Sequence, residues 1–251
     1  MYYMKMKTQP REPFLNELFH HTKIDPHKRA SSLSDYILGG QDGLVNVLGV
    51  VLGIAAATND ARIVLVAGLA TTFAESISMG AVAYTTTLAE ADLYQSERER
   101  EYRHIMETPQ LEIKEIRDIY ESKGFKGELL DHIVNTITAN QDVWVAVMMA
   151  EEHQLAPIDR GTALRSALTV GLSAIIGSLV PLAPFLFLPV SASMWASVFV
   201  TALVLFGIGA YKARVTVGTP MKSGFEMAVI GTVSALAGYL VGIILKVPPV
   251  P

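Results

Sequence analysis

The sequence predicts an all-α, polytopic membrane protein with five transmembrane helices and a cytoplasmic helical bundle between spans 2 and 3. Three observations carry this. Just over half of the 251 residues are apolar, and they gather in five blocks rather than dispersing as a soluble core would. Each block approaches the roughly 20 residues that a helix needs to cross a hydrocarbon layer. The blocks are Tyr36–Thr58, Ile63–Leu88, Ala163–Phe187, Ala192–Ala213 and Glu226–Lys246. Between them Lys and Arg alternate in number: six in the N-terminal arm, Arg62 alone after span 1, eight after span 2, none after span 3, three around the end of span 4, and Lys246 in the tail. Arg165 lies at the inner end of span 3. Positive residues gather on the cytoplasmic side, so the N-terminus is expected inside.

Taken in order, residues 1–34 form a basic polar arm, and Ser34 is expected to cap span 1. The arm's His20, His21 and His27 read as part of a surface segment rather than as a metal site. Residues 35–88 hold spans 1 and 2, and residues 89–161 are the polar module. Span 2 is expected to continue as a polar helix through "AEADLYQSEREREYRHIMET". Thr108-Pro109 restarts a helix, with Pro at its first position, and Lys123-Gly124 stops it. "KGELLDHIVNTITAN" gives another helix ending near Asn140, and Asp142 is expected to cap the last, "VWVAVMMAEEHQL", which ends at Pro157. Residues 162–251 hold spans 3–5, and Pro181 and Pro184 predict a kinked or unwound outer end of span 3. The pairs Gly39/Gly43, Gly49/Gly53 and Gly238/Gly242 let helix backbones approach closely, within one chain or between two, so a homodimer is expected.

The absence of cysteine excludes disulfides, thiolate metal sites and thiol chemistry. Any metal must bind oxygen, nitrogen or thioether ligands. No nucleotide-binding P-loop is present, and the start "MYYMKMKTQPREPF" lacks the apolar stretch of a cleavable signal. The expectation is a non-enzyme without a prosthetic group or nucleic-acid partner. Its partners are the lipid bilayer, divalent metal ions and protons.

Two groups of residues could carry chemistry. Glu75 is the only charged residue between Ile63 and Leu88; a carboxylate at mid-bilayer is costly and functional by default. Met79 lies one turn on, with Thr71, Thr72 and Ser78 nearby, and span 1 offers Asp42 and Asn46 at the same spacing. If the two faces meet, carboxylates, an amide oxygen and a thioether converge. That donor set suits Fe²⁺, with Mn²⁺, Co²⁺ and Zn²⁺ as competitors. In the module, Glu97, Glu101 and His104 share a helix face, Glu112 and Glu115 are three apart, and Met148, Met149, Glu151 and Glu152 sit together. For Glu112 and Glu115 the favoured reading from spacing is a solvated face opposite Ile113, Ile116 and Tyr120.

"GGQDGLVNVLGVVLG" in span 1 and "AGLATTFAESISMGAVAY" in span 2, followed by a Glu-rich helical module and three more spans, resemble the vacuolar iron transporter family over about Ser34 to Lys246. The resemblance implies a five-spanning, dimeric Fe²⁺/H⁺ antiporter removing iron from the cytoplasm. Asp42, Glu75 and Met79 look like that family's pathway residues, and Glu112/Glu115, Met148/Met149 and Glu152 match its pattern of cytoplasmic metal ligands. His104 stands where a second Glu is expected after Glu101, and Leu155 stands three residues after Glu152 in place of Glu. These departures imply fewer metals, weaker binding or a different preference. Proton and metal would compete for the same oxygens, giving exchange without ATP. The alternatives are a membrane-anchored ferroxidase, for which Glu101-x-x-His104 lacks a second copy, and a metal sensor without transport. Short links outside residues 89–161 favour a prokaryotic cytoplasmic membrane.

Overall fold

The computed structural model describes residues 30–246, and no strand occurs among them. The arm's His20, His21 and His27 lie outside the described residues. Helix α1 (Ala30–Thr58) begins upstream of Ser34, which therefore does not cap it. Neither Gly nor Pro interrupts Ala30 to Leu38, so nothing stops the helix from extending in that direction. At the far end Asn59 takes a left-handed φ of 52°, which Asn tolerates. Asp60 then caps α2, its carboxylate accepting from the backbone N–H groups of Arg62 at 2.8 Å and Ile63 at 3.2 Å. This tight link folds α1 and α2 back on one another.

Helix α2 (Ala61–Glu107) is continuous over 47 residues, roughly 70 Å at 1.5 Å per residue. A hydrocarbon core is about 30 Å thick, so the helix crosses it and projects well beyond. The boundary drawn after Leu88 falls inside this helix. Its polar half joins α3 (Pro109–Ser122), α4 (Gly127–Thr138) and α5 (Gln141–Glu151) in a small bundle. Pro109 opens α3 as expected, although the Thr108 hydroxyl donates back to the His104 carbonyl at 3.2 Å instead of capping. Gly124, with φ 97°, ends α3 in a conformation closed to most side chains. Asn140, not Asp142, caps α5: its side-chain oxygen accepts from the N–H groups of Asp142 and Val143. The Asp142 carboxylate accepts instead from the Tyr102 hydroxyl at 2.5 Å, tying α5 to α2. Helix α5 stops at Glu151, well short of Pro157, and Gln154 takes φ 54° just beyond. The bundle core is Ile105, Ile116, Leu130, Val134, Ile137, Trp144, Val145, Met148 and Met149.

Helix α6 (Thr162–Leu182) carries Pro181 in its last turn and gives way to a 3₁₀ turn, Ala183–Leu186. Backbone groups freed by such a break are costly inside a membrane unless re-satisfied. Hydroxyls from α7 (Val190–Val215) do this. Ser197 donates to the Pro181 carbonyl at 2.7 Å, and Ser193 reaches the carbonyls of Pro184 and Leu188. Helix α8 (Pro220–Ile244) starts before the apolar block at Glu226, with Pro220 in its first turn. The described residues thus contain five helices long and apolar enough to cross a membrane. Ile77, Leu172, Ile176, Trp195 and Phe199 point outward from them, a surface suited to acyl chains rather than water. The protein is an integral membrane protein.

Helix α1 packs against all four other spans. Its glycines explain how: Gly39 and Gly43 lie against the carbonyls of Val170 and Ala174 on α6, and Gly49 and Gly53 meet Gly238 and Gly242 on α8. A Cβ on Gly238 would stand 2.0 Å from the Gly49 carbonyl oxygen. These pairs therefore serve packing within one chain. Since backbone cannot step aside as a flexible side chain can, Gly238→Val should cost at least the 1–3 kcal/mol typical of overpacking, about that order. The expected result is a clearly lowered thermal unfolding midpoint in detergent; an unchanged midpoint would contradict the α1–α8 contact.

Candidate metal centres

Because α1 and α2 run back from one turn, residues at similar distances from Asn59–Asp60 lie at similar depth. Asn46 and Glu75 both sit roughly 21 Å from it, and Asp42 and Met79 roughly 27 Å. The side chains do converge. The Asn46 amide donates to Glu75 Oε1 at 2.7 Å, and Asp42 lies close enough for its charge to act on the same carboxyl group. Glu75 Oε2 is buried without a hydrogen-bond partner. Buried charges are usually paired or coordinate a metal, and the carboxyl oxygens brought together here offer such a place. Met79 is half-buried one turn further along α2.

The second centre lies in the bundle. Glu101 and Glu112 are each only 2% exposed. For Glu112 this overturns the solvated-face expectation, and the reason is angular: Ile116 follows four residues later, about 40° away around the helix, so Glu112 shares the inward stripe with it. His104 Nδ1 lies 3.6 Å from Glu112 Oε1 and 3.8 Å from Glu101 Oε1. His153 Nε2 is 3.0 Å from the same Glu101 Oε1 atom. Glu152 completes a second triad with Glu101 and His153; within each triad the ligand atoms lie within 4.8 Å of one another. The second oxygens of Glu101 and Glu112 are buried and unpartnered.

Of the other expected ligands, Glu97 and Glu151 are not members of these triads. Glu97 pairs with Arg100 at 2.7 Å, and Glu151 turns outward to Lys123. Met148 and Met149 are fully buried in the apolar core. Their carbonyls accept the N–H groups of Glu152, His153 and Leu155, shaping the turn that presents Glu152 and His153. His153 was not expected from sequence. Its only signal is adjacency to Glu152 at a helix end, which fixes no face.

The electrostatics match the crowding. Burial, then the charges of Glu115, Glu101 and Glu152, push Glu112 up to about 7. Burial and Glu115 likewise raise Glu152. Burial pulls the His153 imidazole down, but its hydrogen bond to Glu101 and the charges of Glu101, Glu152 and Glu97 more than offset this and leave it raised. The sign of the resulting pH dependence is the same for all three. The folded chain holds protons that the unfolded chain has released, so metal-free stability falls with rising pH. For Glu112 the loss runs from its ordinary 4.5 to about 7 and is complete above that. Trp144 is buried in the bundle and Trp195 is the only other tryptophan, so a Trp195→Phe background makes fluorescence report the bundle. The metal-free midpoint should be higher at acidic than at neutral pH, and Glu112→Gln should flatten the slope. A slope identical in the Gln variant would remove Glu112 as its source.

Comparison with known proteins agrees with this architecture. The profile of the VIT family matches residues 33–243. The chain is 35% identical over 222 residues to vacuolar iron transporter 1 of Oryza sativa subsp. japonica, covering 88% of each chain. It is 34% identical over 206 residues to vacuolar iron transporter 1 of Tulipa gesneriana, covering 82% of this chain and 83% of that one. With vacuolar iron transporter 1 of Arabidopsis thaliana the identity is 33% over 224 residues, covering 88% and 89%. On the profile match and these relatives together, the chain belongs to the VIT family.

Proposed function

We propose that the chain transports a divalent transition metal, Fe²⁺ first and Mn²⁺ second, from the cytoplasm across the membrane in exchange for protons. The observation that carries this is the meeting of Asp42, Asn46 and Glu75 in mid-span. A group of oxygen donors at that depth must be neutralised by a proton or a cation, and alternation between the two is coupled exchange. The names of the relatives support a metal cargo and iron in particular. Transport itself requires no bound cofactor in this scheme.

The Lys and Arg alternation supports a cytoplasmic N-terminus and bundle. From that side an ion meets the bundle carboxylates, then Asp42 and Met79, then Asn46 and Glu75. An acidic far side returns protons to Glu75 and releases the metal. Asn46 is exposed at this depth, and an amide beside two carboxyl groups is a poor neighbour for acyl chains. A second copy would cover that face, and this exposure is what supports the homodimer. The expected prokaryotic cytoplasmic membrane draws no support from the plant relatives; the exchange needs only an acidic far side.

The test is anaerobic metal uptake into proteoliposomes with and without an acidic interior, running Fe²⁺, Mn²⁺, Co²⁺ and Zn²⁺ in parallel. Uptake of Fe²⁺ accelerated by the acidic interior is expected. Metal bound by the bundle with no flux of any ion would instead favour the membrane-anchored metal-binding protein without transport.

A further inference from the structure

A groove between α1, α6 and α7 belongs to neither metal centre. Its volume is about 730 Å³, within the roughly 300–1,000 Å³ of small-ligand sites. Along α6 it runs from Arg165 to Val180, about 22 Å, which exceeds the roughly 15 Å of one leaflet's hydrocarbon. Leu168 and Leu172, both more than half exposed, form one wall. Val204 and Ile208 of α7 form the other, over a floor that includes Gly40 of α1. Thr169 turns its hydroxyl back to the Arg165 carbonyl at 2.8 Å, so the walls stay apolar.

One end of this groove is basic. The Ser197 hydroxyl bonds the Pro181 carbonyl at 2.7 Å, which fixes the register of antiparallel α6 and α7. From that contact Arg165 is 16 residues along α6 and Lys212 is 15 along α7, so both stand roughly 23 Å away. Lys212 follows Ile208 by four residues and shares its face of α7. Both cations are exposed, and neither has an ion pair among the described residues. Nearby Arg160 is instead paired with Asp92 of α2, which puts this end on the bundle's side of the membrane. Of the carboxylates close to this end, Asp159 accepts the Gly161 N–H at 2.9 Å. Asp35 lies about 100° around α1 from Tyr36, the groove-lining neighbour. Tyr36 stands at the same end, where aromatic residues mark a membrane interface.

We propose that the groove holds an acyl chain of one anionic phospholipid from the leaflet on the bundle's side, with its phosphate against Arg165 and Lys212. Apolar walls ending in two cations match a ligand with an apolar tail and an anionic head, and lipid surrounds an integral membrane protein. Each basic residue at such a surface favours an anionic lipid by about fivefold, so two give roughly 25-fold. A second copy of the chain is not the occupant: Gly40 and Leu44 lie about 200° around α1 from Asp42 and Asn46, the face that a second copy would cover.

The experiment uses the full chain in detergent with Trp195→Phe and Leu168→Trp, which places a tryptophan on the groove wall while Trp144 stays in the bundle core. Phosphatidylglycerol with brominated acyl chains, a heavy-atom quencher, is titrated in, with brominated phosphatidylcholine in parallel. Quenching should saturate at one phosphatidylglycerol per chain, with phosphatidylcholine at least tenfold weaker. Combining Arg165→Gln with Lys212→Gln should bring the two lipids within about twofold of each other. A Cβ on Gly40 meets nothing closer than 3.9 Å, so Gly40→Leu should fill the groove and weaken both lipids with the charges intact. Lipid-free thermal midpoints confirm that each variant is folded. Equal quenching by the two lipids, quenching that never saturates, a preference that survives loss of both cations, or undiminished affinity in folded Gly40→Leu overturns the proposal.

Discussion

Glu75→Gln should reduce proton-driven Fe²⁺ uptake by roughly 100-fold, the equivalent of about 3 kcal/mol lost from one charged contact. The substitution keeps the shape of the side chain and its hydrogen bond to Asn46 but removes the charge that a proton or cation must neutralise. Two further variants sharpen the result. Asn46→Leu keeps both carboxyl groups and loses the donor that holds Glu75 Oε1, so a smaller decrease is expected. Asp42→Asn leaves Glu75 as the sole carboxylate at the meeting point, and uptake should become less sensitive to the internal pH because one competing proton site is gone. Wild-type flux in Glu75→Gln, with the protein folded, would end the assignment of this face as the route.

The second large effect concerns Glu101, which both bundle triads share. Glu101→Gln should abolish metal binding at both positions, whereas losing either histidine removes one. It should also change stability in two opposed ways. Without metal, the variant is expected to unfold at a higher temperature than the native chain, because a buried charge that raises Glu112 and Glu152 is gone. With metal, the native chain gains about 2.7 kcal/mol at 100 times the dissociation constant, and the variant gains nothing. Thermal unfolding followed by Trp144 fluorescence, with and without Zn²⁺, measures both. A variant stabilised by metal as strongly as the native chain would show that the ligands lie elsewhere.

Much of this architecture was legible in the sequence, for identifiable reasons. Apolar blocks of spanning length have few competing explanations, so the spans emerged with errors only at their ends, as at Ser34 and Glu226. The long polar continuation of α2 and the break at Pro181 followed from local chemistry, which acts where it is written. The convergence of Asn46 and Glu75 was also accessible, because a tight turn between two spans aligns their depths. The bundle was harder. Its helices are short, so a few degrees of rotation decide whether Glu112 faces water or the core. His153 joins Glu101 across 52 residues, a contact that no local pattern encodes. The capping of α5 by Asn140 was missed because Asn and Asp, two residues apart, are equally good caps on paper.

The unbroken helix α2 has one more consequence. It carries Glu75 in its membrane-spanning half and Glu101 in its polar half, 26 residues apart along one rod, or about 39 Å. A rod of fixed length cannot bring its two stations together, whatever the bundle does. Nor does the field of the bundle carboxylates bridge the gap through water, since it amounts to about five Debye lengths at physiological ionic strength. On the proposed route, an ion leaving Glu101 would therefore reach Asp42 by diffusion. On that route the bundle would act on transport as a reservoir does on an outlet, by setting the local supply rather than by pushing.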